Sequence, residues 1–240
     1  MWVMIGLAAF LVGLGKGGLG GMVGALTTAM MAQVLPPEKV IGLVLPLLII
    51  GDAFAVAAHW GKWDRGLILQ LVPSAILGVL LSTYFLYQIT GEGLRLTLGV
   101  IVLVFVIYKL LEGRLLRQLE YRPKRSHGWV AGIVSGITST LAHGGGPPLS
   151  IFLVIQGLKP ERFAATAAFF FFVLNWIKVP SYWFAGLFDW GLIRSALWVC
   201  PLVPMGVWSG KWLVRRVGRV AFERVILLLL AVSGVLLLLR

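Results

Sequence analysis

Charged residues are scarce in this chain of 240 residues, of which only 12% are Asp, Glu, Lys or Arg while 59% are hydrophobic. Soluble domains carry roughly 25% charged residues, so the composition excludes a soluble globular protein and indicates an integral membrane protein. The single cysteine, Cys200, excludes an intrachain disulfide and a cysteine-based metal centre. Acidic residues number nine against 21 Lys and Arg, and this positive excess fits cytoplasmic loops better than a nucleic acid partner.

Long apolar runs predict where the chain crosses the membrane. Each run is close to the roughly 20 residues that a helix needs to span a bilayer. The predicted spans are residues 40–58, 67–87, 94–111, 161–184, 190–210 and 220–239.

The sequence also repeats itself. A shift of 123 residues places LPPEKV at 35–40 on LKPERF at 158–163. A shift of 125 residues places WDRGLI at 63–68 on FDWGLI at 188–193. The chain therefore consists of two copies of one structural unit.

Each unit begins with a hydrophobic stretch that glycines interrupt, and three spans follow it. A stretch of about 33 residues would be about 50 Å long as one helix, too long for the membrane core, so we expect a hairpin of two short helices. Such a hairpin enters and leaves the membrane on one face, so with the three spans that follow each unit crosses the membrane an odd number of times. The two units must therefore insert in opposite orientations. We predict an all-α integral membrane protein of two inverted repeats, with a first membrane repeat (1–111), a basic cytoplasmic linker (112–127) and a second membrane repeat (128–240).

The distribution of positive charge predicts the orientation. With the linker in the cytoplasm, the basic loops 60–66, 159–162 and 211–219 also face inward, as the positive-inside rule requires. Both termini then lie outside. The expected location is the cell inner membrane, crossed several times.

Interrupted helices at matching places in inverted repeats indicate a secondary transporter. A half-helix that starts at membrane depth directs unpaired N–H groups inward, and glycine lets a ligand approach them, so the two segments predict an anion site. Close helix packing is the alternative explanation for the glycines. The candidate substrate-binding residues are Gly15, Lys16, Gly17, Gly18, Gly20, Gly21, Ser139, Thr140, His143, Gly144, Gly145, Gly146, Asn175 and Lys178.

Ionisable side chains inside the membrane are functional candidates. Asp52 and Asn175 occupy equivalent positions at the shift of 123 residues, and Lys178 follows Asn175 by one helical turn. We expect Asp52 and His143 to couple or gate transport, and Lys178 to neutralise the substrate. The alternatives are a buried salt bridge from Asp52 to Lys16 or Lys178, and a Lys178 that extends to the membrane surface.

The order and duplication of these motifs resemble the sulfite exporter TauE/SafE family over nearly the whole chain. The motifs are GLGKGGLGG at 13–21, AHGGGPPL at 142–149 and the basic loop between the halves. The resemblance implies a polytopic transporter of sulfite, sulfoacetate or related sulfonates, with the glycine-rich segments at 15–21 and 143–148. Ser139 and Thr140 stand where an exact copy of the first segment would have lysine and glycine, so the site is pseudo-symmetric at most.

Together these features predict a secondary transporter that holds a small sulfur-containing oxyanion at half-helix N-termini near the midplane and works by alternating access. The expected partners are this anion and the lipid bilayer, with a homodimer as an open alternative. No cofactor, metal or enzymatic activity is predicted. The alternatives are an anion channel, a carrier of another cargo, and a hydrolase built on Ser139 and His143, which lacks a matched acid. Asp52 as the one deep carboxylate argues against cation transport.

Overall fold

The computed structural model describes residues 2–18, 22–117 and 125–239, and within these ranges the chain forms eleven α-helices and no strand. The helices are α1 (Trp2–Gly18), α2 (Met22–Met31), α3 (Pro37–Ala58), α4 (Arg65–Gln88), α5 (Gly91–Arg117), α6 (Arg125–Ala142), α7 (Gly146–Ile155), α8 (Pro160–Phe184), α9 (Trp190–Leu197), α10 (Leu202–Val217) and α11 (Arg219–Leu239).

Four of the described helical segments are long and apolar enough to cross a membrane. They are Pro37–Ala58, Arg65–Gln88, Gly91–Gly113 and Pro160–Phe184. Many leucines and valines of α4 and α5 are exposed, including Leu69, Leu80 and Val104. An apolar surface of this extent is typical of a protein that faces lipid.

The predicted span at 190–210 is wrong as a single helix. The structure divides it into α9 and α10, and residues 198–201 form turns between them. Pro201 explains the break, because proline lacks an N–H group and disfavours a helical conformation at the residue before it. The predicted span at 220–239 coincides with α11.

Each glycine-interrupted stretch forms one long and one short helix. The 17 residues of α1 and the 18 residues of α6 extend about 26 Å, close to the thickness of the membrane core. The 10 residues of α2 and of α7 reach only about 15 Å. Neither α1 nor α6 is among the four segments that are long and apolar enough to cross a membrane, in line with the expected short halves, although both are longer than α2 and α7. The short helices are therefore about half as long as the membrane core is thick.

Helices α1 and α10 pack together closely along glycines. A side chain at Gly13 would collide with the backbone carbonyl of Val203, and one at Gly206 would collide with that of Phe10. Both collisions would bring a Cβ atom within 3.0 Å of backbone, a distance that real Cβ atoms do not show. Only glycine therefore permits this helix pair.

Helices α4 and α6 pack in the same way. A side chain at Gly78 would collide with the carbonyl of Ile133, and one at Gly136 with the carbonyl of Ala75. Gly78 and Gly206 thus serve close helix packing. In both pairs the helices run in the same direction.

The centre of the molecule is formed by α3 and α8, which run in opposite directions. The start of α3 meets the end of α8, since Gly42 lies against the carbonyl of Leu187. Halfway along, Asp52 of α3 meets Asn175 of α8. Helices α5 and α11 are also antiparallel, because Lys109 late in α5 pairs with Glu223 early in α11 at 2.7 Å. The polar residues predicted to bind substrate lie around the α3–α8 crossing.

Candidate functional site

A small buried cavity of about 20 Å³ lies where α1, α2, α3, α6 and α8 meet. This volume accommodates about one water molecule. The cavity is lined by Val12, Lys16, Val23, Gly24, Leu48, Ser139, His143, Phe171 and Asn175. Four of the predicted site residues, namely Lys16, Ser139, His143 and Asn175, are therefore brought together from both halves of the chain.

The first side of the site is an ion pair between α1 and α3. The Lys16 ammonium contacts Oδ1 of Asp52, whose side chain is fully buried. The second carboxylate oxygen of Asp52 accepts a hydrogen bond of 2.6 Å from the Asn175 amide. Of the two salt bridges that the sequence allowed for Asp52, the structure contains the one to Lys16.

Asn175 has an acceptor left over. Its Oδ1 atom is buried and has no hydrogen-bond partner among the described residues. A buried acceptor without a partner is costly. Because Asn175 lines the cavity, a water molecule or a ligand in the cavity can supply the missing donor.

The second side of the site is built around Lys178 on α8, which is fully buried. Its ammonium lies 3.1 Å from the carbonyl oxygen of Ser139, 3.1 Å from the Ser139 hydroxyl and 3.1 Å from Nδ1 of His143. All three neighbours are neutral acceptors. Lys178 does not extend to the membrane surface, so that alternative is wrong.

His143 is held in one tautomer by its surroundings. Its Nε2 atom lies 3.1 Å from the carbonyl oxygen of Ile41, which can only accept, so Nε2 carries the hydrogen. Nδ1 is then the acceptor that faces Lys178. The backbone of His143 adopts a left-handed conformation with φ of 50°, which ends α6 and turns the chain toward α7.

Tyr182 joins α8 to α6 by a hydrogen bond next to the second side of the site. It is fully buried on α8, and its hydroxyl donates a 2.6 Å hydrogen bond to the carbonyl oxygen of Thr140. The hydroxyl of Thr140 bonds to the carbonyl of Gly136 within its own helix and does not line the cavity. Tyr182 was not among the predicted site residues, because a buried tyrosine in an apolar helix gives no distinct signal.

We expect Tyr182→Phe to lower the free energy of unfolding by about 1 kcal/mol, because the carbonyl of Thr140 loses its side-chain donor. Thermal unfolding in detergent measures the effect. Tyr84→Phe is the matched control, since Tyr84 is exposed. Equal melting temperatures for the two variants would show that the hydrogen bond from Tyr182 to Thr140 does not stabilise the protein.

Three glycines of the first segment lie within a helix and not at the interruption between α1 and α2. Gly15, Gly17 and Gly18 belong to the last turn of α1 and do not start the second half of the hairpin. Gly15 fits because Val23 packs directly against it. Gly20 and Gly21 lie outside the described residues.

The second segment matches its prediction more closely. Gly145 caps the start of α7, Gly146 is its first residue, and Pro147 and Pro148 occupy its first turn. Proline is favoured there because the first-turn N–H groups have no partner in the helix. Gly144 has no atom within 3.5 Å of where a side chain would begin, so space alone does not require glycine at this position.

The sequence did not reveal the apolar lining of the cavity. Val12, Leu48 and Phe171 look like ordinary core residues. Gly24 is different, because a side chain there would lie 2.8 Å from the carbonyl oxygen of His143. Val23 and Gly24 are in the first turn of α2, so the positive end of that helix borders the cavity.

A larger apolar groove of about 740 Å³ lies between α5, α6 and α7. Its lining includes Val100, Val130 and Pro147, and the hydroxyl of Thr138 there is bonded to the carbonyl of Val134. The groove offers an anion no ammonium group among its lining residues. The smaller cavity is therefore the candidate site, because it alone of the two contains lysine.

Ion pairs connect the helix starts at both ends of the molecule. Lys39 pairs with Asp189 at 3.1 Å, and Arg162 pairs with Asp64 at 3.0 Å. Both aspartates also cap a helix, since each accepts a hydrogen bond from the backbone N–H three residues ahead. The Leu192 N–H and then Lys39 lower the pKa of Asp189. The Asp189 contacts are consequently present above the ordinary carboxyl pKa and are lost as the pH falls.

Comparison with known proteins adds an independent finding. The family model described as Sulfite exporter TauE/SafE matches residues 5–237. No curated protein and no solved structure matches the chain. The family match includes both glycine-rich segments and every residue of the polar site, and it confirms the resemblance seen in the motifs.

Proposed function

Because the chain belongs to the sulfite exporter TauE/SafE family, we propose that it is a secondary transporter of sulfite, sulfoacetate or a related organosulfonate that works by alternating access. The family consists of transporters, so the protein is a multi-pass membrane transporter and the hydrolase alternative is wrong. Family membership indicates an exporter of sulfite or a related anion. The substrate, the mechanism and the residues that bind it are our proposal.

The observation that carries the proposal is that two lysines from opposite halves of the chain reach the polar site, Lys178 fully buried and the Lys16 side chain 11% exposed. Lys16 comes from the first half and Lys178 from the second, and Asp52 is the one carboxylate that contacts either ammonium among the described residues. Buried positive charge without an equal negative charge is costly. A small oxyanion between the lysines would remove this cost.

The first turn of α2 supports the same position for the anion. Val23 and Gly24 line the cavity, and a helix N-terminus favours negative charge. Ser139 adds a hydroxyl beside Lys178. The cavity of about 20 Å³ is too small for a sulfonate, so the helices around it must separate to admit one.

Helix packing supports the inverted repeat. Two units related by a twofold axis in the membrane plane require equivalent helices to be antiparallel, and α3 with α8 and α5 with α11 have this relation. The close contacts also correspond. Gly13 is equivalent to Gly136 at the shift of 123 residues. Gly13 in the first half lies against α10 of the second half, and Gly136 in the second half lies against α4 of the first half.

We propose that the ion pair between Lys39 and Asp189 and the ion pair between Arg162 and Asp64 act as the two gates of the transporter. Lys39 is equivalent to Arg162 at the shift of 123 residues, and Asp64 is equivalent to Asp189 at the shift of 125. The pairs therefore lie on opposite faces of the membrane in the proposed topology, with both termini outside. Alternating access requires each gate to open while the other stays closed, and in this structure both are formed.

Breaking one of these ion pairs should change the face of the membrane from which a reagent in solution can reach the cavity. We expect Asp189→Asn to increase the labelling rate of Val23→Cys from the outside by up to about fivefold, since exposed ion pairs are individually weak. The reagent is a membrane-impermeant maleimide, used in a Cys200→Ser background. Asp64→Asn is the matched control and should lower the rate. The same response to both variants would refute the gate assignment.

Transport by purified protein in liposomes tests the function itself. A carrier predicts saturable sulfite or sulfoacetate flux, and faster uptake of labelled substrate when unlabelled substrate fills the liposome. An anion channel predicts flux that does not saturate and is indifferent to substrate on the other side. No flux of any sulfur-containing anion by folded protein would overturn the proposed function.

A further inference from the structure

The net charge of the buried site determines which anions fit it, and it can be counted from the side chains present. Lys16 contributes one positive charge and Asp52 one negative charge, in direct contact. The Lys178 ammonium lies within hydrogen-bond distance of Ser139 and His143 and over the Tyr182 ring, and it forms no salt bridge with a carboxylate among the described residues.

The remaining polar groups do not alter this count. Tyr182 donates its hydroxyl hydrogen to a carbonyl oxygen, so it is neutral. Nε2 of His143 faces the carbonyl oxygen of Ile41 and its Nδ1 faces the Lys178 ammonium, so the imidazole is neutral. The pair is therefore counted with the single positive charge of Lys178. Asn175 is neutral and donates to Asp52.

We infer that the site selects oxyanions that carry one negative charge, such as a sulfonate or hydrogen sulfite, against dianions of the same shape such as sulfate. This inference rests on the proposed function and narrows its substrates to hydrogen sulfite and sulfonates without a second acidic group, so sulfoacetate, which also carries a carboxylate, is disfavoured. A monoanion brings the site to neutrality. A dianion leaves one negative charge in a buried place, where an unbalanced charge is costly.

The pseudo-symmetry of the site identifies the residues that set this preference. Asp52 and Asn175 are equivalent at the shift of 123 residues and hydrogen-bond to each other. A carboxylate at one position and an amide at the other keep the net charge at one. Asp52→Asn raises the charge to two, Asn175→Asp lowers it to zero, and both substitutions preserve side-chain shape.

Methanesulfonate and sulfate are the two probes, because both present a sulfur with three outward oxygens but differ in charge. Binding to the full-length protein is measured by thermal shift and by inhibition of sulfite uptake. We expect the native protein to prefer methanesulfonate by at least about tenfold. Asp52→Asn should reduce or reverse the ratio of the affinities for methanesulfonate and sulfate. Asn175→Asp should lower the affinity for methanesulfonate by at least about tenfold.

The double variant Asp52→Asn with Asn175→Asp is the decisive control. It exchanges the two groups and restores the net charge, so we expect the preference for methanesulfonate to return. The ratio of two affinities on one sample does not depend on how much of that sample is folded. If Asp52→Asn does not fold, the native protein and Asn175→Asp still decide the question.

Two results would overturn the inference. One is a native protein that binds sulfate as tightly as methanesulfonate. The other is a preference that neither single substitution changes. In both cases anions still bind, so the proposed function would stand; absence of binding by sulfite, methanesulfonate and sulfate alike would count against the function itself.

Discussion

Lys178→Met should abolish anion binding while the protein remains folded. Lys178 is fully buried and its ammonium lies against neutral groups, and in the proposed function it is the positive charge that the substrate neutralises. Removing one partner of a buried, hydrogen-bonded charge pair costs about 2–5 kcal/mol, or roughly 30-fold to several thousandfold in affinity. The measurements are sulfite uptake into liposomes and thermal shift with sulfite.

Stability and binding should respond in opposite ways to this substitution. Methionine has a length similar to lysine and brings no charge, so Lys178→Met removes a desolvation cost and should melt at the native temperature or above it. Lys62→Met is the control, because the Lys62 side chain is exposed and pairs with exposed Glu161. Near-native uptake by Lys178→Met would refute the role of this lysine.

Alanine at the paired glycines should have the second-largest effect, this time on stability. Gly13→Ala and Gly136→Ala each place a methyl group on a backbone carbonyl of the facing helix, and backbone cannot rotate away as a side chain can. We expect each to cost about 1–3 kcal/mol. The two sites lie in separate helix pairs, so the double variant should lose about the sum of both costs.

Gly113→Ala provides the matched control for these glycines. Gly113 lies within α5 and has nothing within 4 Å of the added methyl group. Alanine forms helix better than glycine, so this variant should gain about 0.5–1 kcal/mol. Unfolding in mixed micelles of increasing denaturing detergent gives all four values. A Gly13→Ala variant as stable as Gly113→Ala would show that α1 and α10 can separate without cost.

The repeat made the polar site predictable to a useful degree. Its alignment identified Asp52 and Asn175 as equivalent residues, and the structure brings them into contact at the centre. Their contact could not be foreseen, because the equivalence of two residues in a sequence repeat does not say how near they lie to each other in the folded chain. The apolar lining was also hidden, since Leu48 and Phe171 look like core residues in any sequence.

The glycine-rich segments show a second limit. Glycine is a poor helix former, which suggested a break from Gly15 onward, yet α1 continues through Gly18. Tertiary contacts explain the difference, because Gly13 and Gly15 pack against α10 and α2 and the helix gains more from packing than glycine costs. The hydropathy pattern similarly predicted α9 and α10 as one span, because the residues of the turn between them are as apolar as the two helices.

The pairing of α1 with α10 has a consequence for how a ribosome produces this protein. Helix α1 is made first, whereas its closest partner comes from residues 202–217 near the end of the chain. The bare glycine face of α1 therefore enters the membrane long before the surface that covers it exists. Final assembly waits for the last two helices. A chain that stops before Leu202 would present an unmatched, glycine-rich helix to the membrane's proteases.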